Sequence, residues 1–270
     1  GQSGDDADLR STAILQPGRD VLETAGLWPR LAPHAAPLRV MRIADLRAGA
    51  ARPRIIRDFT ASEISDAPFG WNLPNQILRR EMAARLAELP NVTFRTGIGA
   101  HDLLQRRDEA IVTLSGGARV AARLVICADG RDSPLRGALG IGARRVRYGQ
   151  RAIVFSVAHP HPHHDISTEI YRSGGPFTLV PLPDQGGRPA SAVVWMTGAA
   201  EARRLAALPE AAFAAAATAR SGGVLGPLAP ITARRTWPII SQIAGRFAEG
   251  RAALIAEAAH VLPPIGAQGL

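Results

Sequence analysis

Lysine is missing from this chain: all 32 basic residues are arginine, against 23 acidic ones, for a formal charge of +9. Aromatic residues make up only 5%. A nucleic-acid surface needs clustered cations interleaved with stacking rings. No such cluster is visible, so the charge reads as arginine spread over a solvated surface in a chain biased toward Ala, Gly, Pro and Arg. Cysteine occurs once, as Cys127, which rules out an intrachain disulfide framework and a cysteine-based metal site. Its apolar surroundings, Arg123-Leu124-Val125-Ile126-Cys127-Ala128, make it a small buried hydrophobe. No apolar run approaches the ~18 residues of a spanning helix, and Gly1-Gln2-Ser3-Gly4-Asp5-Asp6 is no signal peptide. The expected setting is cytoplasmic, with peripheral contact at the inner face of a membrane left open. Also missing is any GxGxxG after a strand: Gly97-Ile98-Gly99 lacks the third glycine.

What is present is globular. With 270 residues and 46% apolar content the chain is long enough for one large domain or two ordinary ones. A helical pattern covers Leu9 to Leu31, with Pro17 near a start and Gly26 as a stop. Residues 38–73 alternate instead and read as a small antiparallel sheet. Asn75 is placed to cap a helix reaching Leu89. Strands are expected at Val92 to Arg95, Ala110 to Leu114 and Arg119 to Ala128. Further strands are expected at Ala152 to Val157, Ser167 to Tyr171, Phe177 to Pro181, Ala192 to Met196 and Thr232 to Ile239. An alanine-rich helix, broken at Pro209, separates the last two. No repeat of fixed period occurs.

Two strand ends carry a carboxylate beside a glycine-bearing turn. One is Asp129-Gly130; the other is Glu257, followed by Pro263 to Gly269. In α/β folds ligands lie beyond the carboxyl ends of strands, where bare amides can hold anionic or oxygen-rich groups. Other features read as ordinary structure. His159, His161, His163 and His164 sit in an extended Pro-rich loop without metal-site spacing. His260 reads as a packing residue, and the four tryptophans as core or interface residues. Ser133 lacks a Gly-x-Ser-x-Gly elbow.

The run Leu124 to Arg136, with Asp129-Gly130-Arg131-Asp132-Ser133-Pro134-Leu135-Arg136, resembles the Asp-Gly motif of class A flavoprotein aromatic hydroxylases. Gly250 to His260, with Pro263-Pro264-Ile265-Gly266-Ala267-Gln268-Gly269-Leu270, resembles their second FAD motif. Within that group the likeness is nearest to the ubiquinone-biosynthesis hydroxylases. Asp8 to Leu15 with Ala25-Gly26-Leu27-Trp28, Asn75-Gln76-Ile77-Leu78-Arg79, and the segments His159 to His163 and Gly175 to Leu182 support it.

The resemblance implies an α/β fold: an FAD-binding Rossmann-like domain, here lacking its first βαβ unit, with an inserted mixed or antiparallel β-sheet substrate domain. Residues 1–36, 74–145 and 246–270 would form the cofactor part, and 37–73 and 146–245 the substrate part. It implies FAD as cofactor, NAD(P)H as reductant, and hydroxylation of an aromatic ring by a flavin hydroperoxide formed with O2. The expected substrate is a polyprenyl phenol, with no nucleic-acid partner and with membrane or biosynthetic-complex association left open. By the same resemblance Glu257 would accept hydrogen bonds from ribityl hydroxyls. Pro263 and Gly266, Ala267, Gln268 and Gly269 would lie along the isoalloxazine. Arg10, Asp129 with Gly130, Asn75 and Arg79 would reach the polar middle of the cofactor. No side chain is named as catalytic acid or base, and none as a metal ligand. Ala256-Glu257 stands where the family motif has Gly-Asp. With the ADP-binding unit absent, the chain reads as an internal fragment. The competing expectation is a non-catalytic remnant that acts by associating with a partner protein.

Overall fold

The computed structural model describes residues 10–46 and 55–264. Two compact units are present, Gly1–Pro90 with Gly149–Pro238 and Asn91–Tyr148 with Ile239–Leu270.

In the first unit, Gly70–Pro74 forms the middle strand of a small antiparallel sheet, between Ser11–Leu15 and Ala36–Leu38. Ser11–Leu15 is therefore a strand, where the apolar spacing of Leu9 to Leu31 had predicted helix. Pairing with Gly70–Pro74 fixes its backbone, and the helix begins only at Gln16, with Pro17 in its first turn. Gly26, at φ +68, follows that helix as its stop. Gly70 is a glycine by necessity: a Cβ there would meet the Ile14 carbonyl oxygen at 2.5 Å. Helix Asn75–Ala87 starts directly after the central strand, so Asn75 is its first helical residue and Pro74 occupies the cap position. Leu31 and Leu73 are fully buried between these pieces, with Ile14, Leu22, Leu27 and Trp28 around them.

A larger mixed sheet fills the rest of the unit. Val40–Asp45 pairs antiparallel with Ile55–Thr60 and parallel with Ile166–Arg172. The expected small sheet over residues 38–73 is thus divided between two sheets. Ile166–Arg172, Gly175–Gln185, Arg188–Gly198 and Ala143–Ala158 follow as antiparallel neighbours. Their strict alternation puts Ile153, Phe155, Val157, Ile170, Phe177, Val193 and Trp195 on one buried face. Helices Ala199–Ala206 and Glu210–Ser221 cover that face with Leu205, Phe213 and Ala217, and Pro209 divides them as expected.

The histidine-rich loop is a set of structural posts. His159 is buried, donates from Nδ1 to the His161 carbonyl at 2.8 Å, and shares a 2.9 Å bond with Ser191 Oγ. Burial pushes its imidazole below the ordinary value of 6.5. His163 donates to the Leu182 carbonyl and accepts the Asp165 amide. Among the described residues no three His, Cys, Asp or Glu side chains group as metal ligands. Nor does any described helix have the length and apolarity to cross a membrane.

The second unit holds an antiparallel meander, Ala100–Gln105, Ala110–Leu114 and Arg119–Ala122. The strand expected at Val92 to Arg95 is not formed; those residues are exposed, and the first strand begins at Ala100. The expected single run from Arg119 to Ala128 divides at Arg123-Leu124, because the chain changes partner there. The Val125 amide donates to the Arg251 carbonyl, and Val125–Cys127 then pairs in parallel with Ala252–Leu254. Cys127 is fully buried, as expected, among Leu103, Val112, Leu135, Ile141 and Leu254. Burial, aided by the charge of Asp129, pushes its thiol above the usual range, which keeps it unreactive.

Candidate functional site

The parallel pairing of Val125–Cys127 with Ala252–Leu254 has a direct consequence for the two motifs. Val125 faces Ala252 and Cys127 faces Leu254, so both strands end at the same level. The Ile255 amide extends the register by donating to the Cys127 carbonyl at 3.0 Å. The chain then leaves both strands on the same side, through Asp129-Gly130 in one case and Ala256-Glu257 in the other. Residues far apart in sequence are neighbours for this reason alone.

Asp129 organises its own turn. Its carboxylate accepts the Ser133 hydroxyl at 2.5 Å and the Leu135 amide at 3.1 Å. Ser133 in turn caps helix Pro134–Ala138 by accepting the Arg136 amide. Gly130 adopts φ +91, and a Cβ there would meet nothing within 4 Å. Its glycine answers a backbone demand, and it leaves open space beside the turn.

Arg131 joins the two motifs. Its Nε and Nη2 donate to the two Glu257 oxygens at 3.2 and 3.3 Å. The Glu257 side chain is 48% exposed and that of Arg131 25%, so the pair contributes little stability and mainly sets position. A carboxylate has about four acceptor sites, so Glu257 can hold Arg131 and still accept hydroxyl donors. Arg136 fastens the same region from below. It is 8% exposed, and donates from Nη1 to the Ala258 carbonyl and from Nη2 to the Arg131 carbonyl, each at 2.9 Å. Gln242 gives the Arg131 carbonyl a second donor at 2.7 Å. Arg145 bonds the Gln242 amide oxygen and Asp132, and its hydrogen bond holds the Asp132 carboxyl below the usual range.

The motif departure at Ala256 has a structural cost. Ala256 sits at φ +50, in the left-handed region that glycine occupies freely. Replacing it by glycine removes about 1–2 kcal/mol of backbone strain, against roughly 0.5–1 kcal/mol for the added freedom of the unfolded chain. Ala256→Gly is therefore expected to raise the melting temperature by about 1–3 °C, and an unchanged or lowered midpoint would contradict the strain.

The remaining expected residues fall as follows. Arg10 and Asn75 meet in the first unit: the Asn75 amide donates to the Arg10 carbonyl at 2.9 Å, and the Thr12 hydroxyl donates to Asn75 Oδ1 at 2.5 Å. The Arg10 guanidinium lies over the Trp237 ring, 4.9 Å from its centroid. Arg79 is exposed on the helix that begins at Asn75. Pro263 is half-buried just beyond Val261. Gly266, Ala267, Gln268 and Gly269 lie outside the described residues.

Arg131, Arg136 and Gln242 were not singled out in the sequence. The local signal was a Ser-Pro-Leu-Arg segment that puts an arginine in the first turn after a serine cap, but with so many arginines such a placement carries little weight. An exposed carboxylate, a guanidinium beside it and an open glycine turn together suit a ligand rich in hydroxyls and negative oxygens. The polar part of FAD has that chemistry.

The family described as FAD binding domain matches residues 3–270. Ubiquinone hydroxylase UbiL of Rhodospirillum rubrum is 34% identical over 263 residues, which is 97% of this chain and 59% of that protein. The 3-demethoxyubiquinol 3-hydroxylase of Escherichia coli is 27% identical over 265 residues, 97% of this chain and 65% of that one. The chain thus spans about three-fifths of the length of these curated relatives. Among solved structures, p-nitrophenol 4-monooxygenase PnpA from Pseudomonas putida superposes with a TM-score of 0.76 at 22% identity, covering 100% of this chain and 67% of that one. At that identity the likeness speaks for the fold.

Proposed function

The chain belongs to the FAD-binding domain family, and from that premise we propose that it is part of an FAD-dependent monooxygenase that hydroxylates an aromatic ring. The observation that carries the reading is the side-by-side ending of Val125–Cys127 and Ala252–Leu254, with Asp129-Gly130 and Glu257 drawn together through Arg131. Bound FAD, reduced by NAD(P)H, supplies the activation of O2 from which one oxygen atom passes to an electron-rich phenol.

The protein's own part is binding and placement. Glu257 accepts hydroxyl hydrogens of the ribityl chain while Arg131 fixes where its oxygens point. Asp129 shapes the turn through Ser133 and Leu135, and Gly130 lets backbone approach the cofactor without a side chain between. Arg10, Asn75 and Arg79 keep the role that the resemblance gives them, along the cofactor's polar middle. Pro263 and residues Gly266, Ala267, Gln268 and Gly269 keep theirs along the flavin ring. In this division of roles, residues 1–36, 74–145 and 246–270 serve the cofactor and 37–73 with 146–245 serve the substrate. It is a division by task and cuts across the two compact units.

The names of the R. rubrum and E. coli relatives support a prenylated phenol of ubiquinone biosynthesis as substrate. A cytoplasmic setting with peripheral contact at the inner membrane face suits such a substrate. The test is direct. The purified chain is expected to quench the fluorescence of added FAD, and Glu257→Ala to weaken binding about tenfold, as loss of a charged hydrogen-bond acceptor implies. If FAD fluorescence is untouched, the enzyme reading fails for this chain and the protein-association reading takes its place.

A further inference from the structure

Three of the four tryptophans have an evident packing role. Trp28 and Trp195 are buried, and Trp71 meets Trp28 edge-on with ring centroids 5.1 Å apart. Trp237 differs. It lies on strand Arg235–Ala244, is 38% exposed, and belongs to none of the buried clusters of the described residues. What it does touch is the guanidinium of Arg10, 4.9 Å from the ring centroid. That is inside the ~6 Å within which a cation is attracted to an aromatic face.

The geometry points to Trp237 as a positioning residue that holds Arg10 for an anionic ligand, and we propose this role for it. The inference rests on the reading of Arg10 as a cofactor contact and adds the group that makes the contact effective. Arginine has several rotatable bonds and loses considerable freedom when it binds. Laid flat on an indole, the guanidinium keeps its N–H donors in its own plane, directed sideways where phosphate or hydroxyl oxygens can accept them. The backbone beneath is fixed as well, since the Arg10 carbonyl accepts the Asn75 amide and Asn75 is held by Thr12. Only the side chain needs an external support, and Trp237 provides its flat face. Trp237 itself touches no reacting atom in this scheme.

The experiment is a double-mutant cycle read by FAD fluorescence quenching on the 270-residue chain. Trp237→Leu is expected to weaken FAD binding roughly fivefold, the size of a half-exposed cation–π contact. Trp237→Phe retains an aromatic face and is expected to stay within about twofold of the parent chain. In an Arg10→Ala background, Trp237→Leu is expected to add nothing further. Arg10→Lys keeps the charge but loses the flat stack, and should show the same absence of added loss. Equal losses from Trp237→Leu with and without Arg10 would mean that the indole acts on the fold at large, and would overturn the inference alone. A parent chain that leaves FAD unquenched overturns the cofactor reading, and this role with it.

Discussion

Arg136→Met is expected to remove about 3 kcal/mol of stability from the second unit, because two charge-assisted hydrogen bonds are lost together. The guanidinium is buried and bridges the Ala258 and Arg131 carbonyls. Methionine replaces most of the aliphatic stem, so the loss reports the hydrogen bonds and not a cavity. Each bond to a charged donor contributes about 1.5–3 kcal/mol, and the stranded Ala258 carbonyl has water only if the turn opens. Arg136→Lys keeps the charge on one compact ammonium that cannot span both carbonyls, so about half of the loss should persist. Urea titration measures the total, and amide exchange over residues 256–261 reports the local opening. A Met variant within about 1 kcal/mol of the parent would show that Arg136 is ornamental to the two motifs.

In the first unit the largest effect is expected from Phe213→Ala, at about 4 kcal/mol. Phe213 is almost fully buried, meets Phe155 edge-on at 4.8 Å, and lies 6.1 Å from the Trp195 ring. Arg234 completes its surroundings, with the guanidinium 4.5 Å above the ring and further hydrogen bonds to the Ala206 and Leu208 carbonyls. Truncation therefore opens a cavity under the helices and strips one face from a half-buried arginine. Phe213→Leu refills most of the volume and should cost about 1–1.5 kcal/mol. Denaturation followed by tryptophan emission is the measurement, since Trp195 borders the cavity. An alanine variant no less stable than the leucine one would show that the site collapses freely.

The large sheet and its two helices were legible because their signal is repeated. Ile153, Phe155 and Val157 alternate with more polar neighbours, and Pro209 interrupts an otherwise unbroken helical stretch. Ser11–Leu15 was not legible, since five residues with two apolar ends fit a helical spacing as well as a strand, and pairing with Gly70–Pro74 decides between them. Val92 to Arg95 failed the opposite way: it has strand composition, yet it is exposed and outside the ladders of the described residues.

At the candidate site, Asp129, Gly130 and Glu257 were legible as motif residues. The arginines that hold them in place were not. Arg136 is distinguished from the others by burial, and burial comes from packing that no local run encodes. Trp237 was grouped with core tryptophans on residue type, whereas its exposed ring carries a guanidinium.

The parallel pairing of Val125–Cys127 with Ala252–Leu254 also fixes a timetable. Arg131 and Glu257 are 126 positions apart, so the ribosome must add that much chain before the second motif can dock on the first. At about 5–20 residues per second this is a wait of roughly 6–25 s, during which the edge of Val125–Cys127 has no native partner. The meander Ala100–Gln105, Ala110–Leu114 and Arg119–Ala122 can close early from local contacts, while Ala252–Leu254 pairs late across a long loop. Nascent chains arrested before residue 252 should then protect the amides of the meander from exchange and leave those of 125–127 open.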